Sequence, residues 1–387
     1  MKKSLLALAV LGAYAGVASA QSSVTLYGTV DLSGKYVKNE GSDKRWSLGR
    51  DGINSSQLGF RGIEDLGGGL KAGFVLLSSI GADSGDIGSG QSATGSGKFW
   101  YRRATVSLLS DAGELRLGRD YTPTYWNNSN FDAFGAVGIG DSTRVQQLGT
   151  TTFTRADNSI GYFLPPGLGG FYGQFMAAAA EPGQAGQASN NGRYLGGRVG
   201  FAAGPFDVAL AYGQQRNVTY PTLGNDQNTW NVGGSYDFGF VKLMGYYVSD
   251  DRDNAKEKRA HIDASFPFGQ SQFDVGYSRS KLDDSRNPVH FDNTIYSWAV
   301  QYQYNMSKRT ALYATYSQLN NGSHSSNSVA SGTSISAAPT LGGNSKGFET
   351  GIRHFFCSAL VSEGPILRRP PPGGLFFASF LRHGSST

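Results

Sequence analysis

The chain has 387 residues, among them 55 glycines, 20 tyrosines and one cysteine, and 16% of it is charged. Glycine at roughly twice its usual ~7% share disfavours a helical protein, frequent aromatics disfavour disorder, and a lone cysteine excludes a disulfide framework or a thiolate metal cluster. The formal charge of +5 falls to about +1 for residues 21–356, because Lys2, Lys3, Arg368, Arg369 and Arg382 lie outside them, offset there only by Glu363; no nucleic-acid partner is indicated.

The chain opens with a basic Met1-Lys2-Lys3, an uncharged apolar stretch from Leu5 to Val17 and a small-residue Ala18-Ser19-Ala20. That pattern reads as a secretory signal peptide over residues 1–20. Beyond it no apolar run reaches the ~18 residues of a membrane helix. Instead, short segments alternate with period two. In Val24-Thr25-Leu26-Tyr27-Gly28-Thr29-Val30-Asp31-Leu32 one face is apolar and the other polar, and the pattern returns at 70–76, 206–212, 230–236, 241–247, 273–277 and 296–302. We expect sixteen strands, at 23–37, 52–63, 69–80, 98–109, 113–119, 155–163, 170–180, 193–202, 206–216, 228–237, 240–250, 257–266, 271–280, 293–304, 309–319 and 347–356. Tight Gly- or Asp-rich turns alternate with long polar loops, including 250–256 and 320–346, as in an antiparallel up-and-down meander.

A soluble sandwich would bury the apolar faces. Two features favour a membrane barrel. Polar strand faces carry residues suited to a wet lumen, namely Lys71, Arg198, Lys242, Asp274, Arg279, Glu349 and Arg353. The apolar faces end in Tyr212, Trp230, Tyr236, Tyr247, Tyr277, Tyr296 and Tyr302, as aromatic girdles do at bilayer interfaces. With strands alone to cross lipid, only a closed barrel satisfies the backbone. The fold class is therefore all-β, a 16-stranded antiparallel transmembrane β-barrel in the outer membrane of a Gram-negative cell.

Several segments resemble a known family. They include Ser23-Val24-Thr25-Leu26-Tyr27-Gly28, the run Ser56 to Ala72, Arg102-Arg103-Ala104-Thr105-Val106-Ser107-Leu108, Leu117-Gly118-Arg119-Asp120, Asp157-Asn158-Ser159-Ile160-Gly161-Tyr162, Leu195-Gly196-Gly197, Tyr304 to Tyr313 and Gly351-Ile352-Arg353-His354. In number and order these are similar to the trimeric general-diffusion porins of betaproteobacteria, over about residues 21–356. The resemblance implies a homotrimer, passive diffusion of ions and small hydrophilic solutes, contacts with lipid and lipopolysaccharide, and insertion by the barrel-assembly machinery. It also implies a third loop, here Asp120 to about Thr154, folded into the lumen. Its residues Phe131, Phe134, Val137 and Ile139 agree, since a loop in water has no use for them.

Such a channel needs a constriction with acids on the loop facing bases on the wall. The candidate acids are Asp120, Asp132 and Asp141. The candidate bases are Arg61, Arg102, Arg103 and Arg155, with Arg116 and Arg119 weaker. Parity turns Arg61 inward, since Leu58 and Phe60 face lipid. Strict alternation favours Arg103 over Arg102. The resemblance instead implies Arg102 and Arg155, which for Arg102 needs a bulge or twist; a third arginine of that cluster is matched by Gln57. No cofactor or metal is expected: the five histidines lack ligand spacing, and no catalytic motif appears. A substrate-specific channel and a barrel hydrolase are the alternatives. Residues 357–387, with Pro370-Pro371-Pro372-Gly373-Gly374, lack alternation and read as an atypical extension after Phe356, expected to impair assembly.

Overall fold

The computed structural model describes residues 23–87, 97–148, 154–180, 192–218, 225–285 and 291–356. The segment read as a signal peptide and the extension 357–387 lie outside the described residues. The strands are β1 (Ser23–Asn39), β2 (Arg45–Arg50), β3 (Gln57–Gly67), β4 (Leu70–Ser79), β5 (Arg103–Ser110), β6 (Gly113–Tyr121), β7 (Arg155–Phe163), β8 (Phe171–Ala178), β9 (Tyr194–Ala203), β10 (Phe206–Val218), β11 (Asn225–Asp237), β12 (Lys242–Arg252), β13 (Ala255–Phe268), β14 (Ser271–Asp284), β15 (Phe291–Asn305), β16 (Thr310–Asn320) and β17 (Ser345–Phe356). From β3 onward each strand pairs antiparallel with the next, and β1 pairs with β17, which closes the barrel.

Seventeen segments make sixteen barrel staves. The upper half of β1 pairs with β2 and its lower half with β3, so these two short strands form one stave interrupted at residues 51–56. The expected single strand at 52–63 is thus corrected. Asp31 holds the interruption: its carboxylate accepts the backbone N–H groups of Gly52 at 3.2 Å, Ile53 at 3.0 Å and Asn54 at 2.8 Å. These donors have left the ladder and need an acceptor. Asp51, at φ +63°, makes the turn.

Alternation turns the protein inside out. Along β1, Thr29, Asp31, Ser33 and Lys35 are buried toward the lumen, while Val24, Leu26 and Val30 stand outward. The outer surface carries Leu108, Leu117, Ile160, Phe175, Leu195, Leu210 and Ile262 with the aromatics Tyr212, Trp230, Tyr236, Tyr277, Tyr296 and Tyr302. In lipid such a belt is solvated, and the polar interior keeps water. Arg279 is corrected: on β14, Asp274, Ser278 and Ser280 are buried inside and Arg279 is exposed on the outer face, one step out of phase.

The turns at one end are short, as at Ser110–Gly113 and Ala203–Phe206. At the other end, β13, β14 and β15 run 14, 14 and 15 residues, beyond the ~9–11 that a bilayer needs, and stand above it. The long loop expected at 250–256 is instead a tight turn, with Arg252 paired to Ala255.

Candidate functional site

Two segments fold into the lumen. The first connects β6 to β7. It opens with the helix α1 (Pro123–Asn130), whose first residue is a proline, suited to a position where no N–H bond is lost. A 3-10 turn at Ser142–Val145 follows, with Asp141 accepting from the Thr143 N–H at 2.8 Å. The second connects β16 to β17 and packs Val329 and Ala330 against Ile139 and Val145 of the first. Sequence reading missed this second insertion.

Apolar side chains seat the first segment. Phe131 is buried with Ala209, Tyr246 and Val248. The wall offers Gly233 beneath Phe131 and Gly276 beneath Phe134; a Cβ at either place would collide with the ring. Ile139 packs against Val37, Ile295 and Leu319, and Leu148 against Ala255 and Leu282. Val137 is half-buried and lines the cavity.

Carboxylates of the wall take the segment's irregular backbone. Glu257 accepts from the N–H groups of Gln147 at 3.0 Å and Leu148 at 2.8 Å. Asp263 accepts from Ala133 at 2.8 Å, and Glu349 from Ile139 at 3.0 Å. On the segment itself, Asp132 accepts from the N–H groups of Phe134 and Ala136 and from Ser142 Oγ at 2.6 Å. Burial pushes the Asp132 carboxyl up, but the hydrogen bonds and charge it receives from His261, Ser142 and the backbone outweigh this and hold it below the usual carboxylate range. His261 bridges Asp263 at 2.7 Å and Ser278 at 2.8 Å, with Asp132 at 3.6 Å. Asp132, His261 and Asp263 have the donor types of a metal site. Apart from Asp263 Oδ1, which is buried without a hydrogen-bond partner among the described residues, their oxygens and nitrogens are engaged with one another, with Ser142 and Ser278, and with backbone N–H groups.

What remains open is a cavity of about 660 Å³. Its charged lining is Lys35, Arg50, Arg102, Arg144, Arg155 and Arg259 with Asp51, Asp83, Asp86, Asp141 and Asp250. Most of these bases face acids: Arg259 meets Asp250 at 2.6 Å, Arg50 meets Asp51 at 3.4 Å, Arg144 meets Asp141 at 3.4 Å and Lys35 meets Glu349 at 3.4 Å. Arg155 meets no carboxylate within ion-pair distance among the described residues; it donates to Tyr121 Oη at 2.9 Å.

Of the residues singled out in the sequence, Arg102, Arg155 and Asp141 border this cavity together. Arg102 does so without a bulge, because β5 begins only at Arg103 and the preceding residue turns freely inward, its N–H bonded to Leu77 at 3.0 Å. Arg103 also points inward but is buried against Asp120, with Nε 2.7 Å from Oδ1. Asp120 further binds Arg116 Nη1 at 2.5 Å, and Arg116 binds Glu114 at 2.7 Å, a closed network in the wall. Arg61 lies on the inward face over the Tyr27 ring at 5.5 Å, toward the short-turn end and away from the cavity lining. Asp132 is buried under the inserted segment. Lys35 and Arg50 were not anticipated; the turn-forming Asp51-Gly52 after Arg50 was the available signal.

Comparison with known proteins decides the class. Residues 7–324 match the Gram-negative porin family. The chain belongs to that family. It is an outer-membrane porin, a water-filled channel for the passive diffusion of ions and small hydrophilic solutes. The porin is 38% identical to outer membrane porin protein 32 of Delftia acidovorans, over 92% of this chain and 100% of that one. It is 30% identical to an outer membrane porin protein of Bordetella pertussis, over 81% of this chain and 93% of that one. Among solved structures it is similar to the anion-selective porin from Comamonas acidovorans, with a TM-score of 0.74 and 35% identity, covering 87% of this chain and 100% of that one. OmpT of Vibrio cholerae, at 14% identity and a TM-score of 0.62 over 88% and 99% of the chains, shares the fold.

Proposed function

We propose that this porin prefers anions and works as a homotrimer. The observation that carries the preference is an asymmetry in how lumen charges are engaged. Wall carboxylates are turned to the backbone of the inserted segments, whereas Arg155 faces the cavity with no carboxylate beside it among the described residues. A passing anion that loses hydration there meets a positive charge in a low-dielectric surround, whereas Asp51, Asp141 and Asp250 of the same cavity are each held by an arginine. The similarity to a Comamonas porin described as anion-selective points the same way.

In this reading Arg102 and Arg155 form the basic side of the constriction. Lys35 and Arg50 supplement it from the neighbouring β1 and β2, around Asp51, and Gln57 stands where the resemblance implies a third arginine. Asp141 is the acid of the inserted loop. Arg103 and Arg61 contribute charge from behind and from nearer the short-turn end, and Asp120 and Asp132 hold the frame. Lipopolysaccharide at the rim and the barrel-assembly machinery complete the partners. A hydrolase is disfavoured because the Ser278, His261 and Asp263 arrangement is buried behind the loop, away from the cavity. Zero-current potentials in a planar bilayer under a salt gradient test the reading. A potential of the sign set by chloride, with closures in three steps, is expected; a cation-signed potential would refute it.

A further inference from the structure

We propose that Tyr121 is the positioning residue of the constriction arginines, an aromatic post that holds their charges at the lumen surface. The proposal rests on the anion-preference reading above. Tyr121 is the last residue of β6, and its ring is fully buried, so it touches the permeating ion only through others. Three guanidinium groups gather on it. The Cζ of Arg155 lies 4.3 Å from the ring centroid, that of Arg103 5.4 Å and that of Arg102 6.0 Å. Arg103 is offset by Asp120, but Arg155 has no carboxylate at ion-pair distance among the described residues, and a ring face is one of few groups that can hold such a charge without neutralising it. A carboxylate would draw it in more strongly and cancel the field that an anion responds to.

The post is rigid. Its ring stacks on Tyr125 at 5.2 Å with 15° between planes and leans on Trp126 at 5.0 Å, both on α1. Its N–H donates to Asp120 at 2.8 Å, which ties it to the Arg103 and Arg116 network. Its hydroxyl accepts from Arg155 Nη2 at 2.9 Å. The Nε of Arg155 is buried with no hydrogen-bond partner among the described residues, and a second ring, Tyr101, stands 5.2 Å from its Cζ. Hydroxyl and rings are thus what fix Arg155, and Tyr121 supplies the hydroxyl and the nearer ring. The same residue links the arginine side of the wall to the start of the inserted loop.

The test compares wild type, Tyr121→Phe, Tyr121→Leu, Arg155→Gln and the double variant Tyr121→Leu/Arg155→Gln by zero-current potential under a potassium chloride gradient. Heat-modifiability on gels reports barrel integrity. The expected result is a chloride-to-potassium permeability ratio that falls by half or more in Arg155→Gln and in Tyr121→Leu. Tyr121→Phe, keeping the ring and losing one hydrogen bond, falls less. The double variant equals Arg155→Gln, because Tyr121 acts through the arginine. If Arg155→Gln shifts the ratio and neither Tyr121 variant does, the positioning role is wrong while the anion reading stands. If the Tyr121 and Arg155 effects simply add, Tyr121 does not act through Arg155 and the proposal is overturned. If Arg155→Gln leaves the ratio unchanged, the anion reading itself fails and takes this one with it. Should Tyr121→Leu not assemble, Tyr121→Phe decides alone against the wild type.

Discussion

The inserted loop meets the barrel wall in two chemically opposite ways. Its first part, Tyr121 to Asn130, lies against arginines: Arg155 and Arg103 beside Tyr121, and Arg198 donating to Asn127 at 2.6 Å. Its second part, Phe131 to Leu148, lies against the acids Glu257, Asp263 and Glu349. The difference follows from backbone geometry. The first part is helical and satisfies its own N–H groups after the first turn, so no wall carboxylate is drawn to it; Arg103 and Arg198 are buried there, and Arg155 is left facing the cavity. The second part is irregular, and its N–H groups need acceptors with full charge. On the proposed reading, one side sets ion preference and the other sets loop position.

Substitutions on the two sides separate these roles. Phe131→Ala leaves a void beside Ala209 and Val248; a loss of about 3–5 kcal/mol of loop seating is expected, read as noisier and larger single-channel conductance. Glu257→Gln weakens the bonds to Gln147 and Leu148; about 1–3 kcal/mol is expected, seen as faster proteolysis of the loop, with a chloride-to-potassium ratio that does not fall. Arg155→Gln reverses that pattern: the ratio falls, while loop proteolysis and gel heat-modifiability stay as in the wild type. Arg216→Ala removes an exposed ion pair with Asp226 on the outer hairpin; less than about 1 kcal/mol is expected, and neither conductance nor ion preference should move. A fall in anion preference from Glu257→Gln, or a loosened loop from Arg155→Gln, would break the division.

The barrel was legible in the sequence because its rule is local. Each strand alternates with period two, and side chains such as Thr29, Asp31 and Ser33 against Val24, Leu26 and Val30 declare their faces. The inward loop was legible for a related reason, since Phe131, Phe134 and Ile139 have no place in water. The same logic reaches the second insertion through Val329 and Ile335, which polar neighbours obscured. The interruption of the second stave was not legible: it depends on Asp31 accepting bonds from residues more than twenty positions away. For the same reason Lys35 and Arg50 escaped notice, and Asp120 could not be told from an exposed loop acid. A buried network and an open site use the same residue types, and only three-dimensional proximity separates them.

Alternation has one more consequence, in the history of the chain before it folds. Because outward apolar residues alternate along the strands with inward residues that are mostly polar or small, no long window of the extended polypeptide is apolar, and mean hydropathy stays at −0.32. A secretion channel that releases sufficiently greasy stretches sideways into the inner membrane finds none here beyond the apolar stretch near the N-terminus. The porin thus carries a membrane-spanning surface that exists only once strands pair, which lets it pass through one bilayer unrecognised and settle in the next.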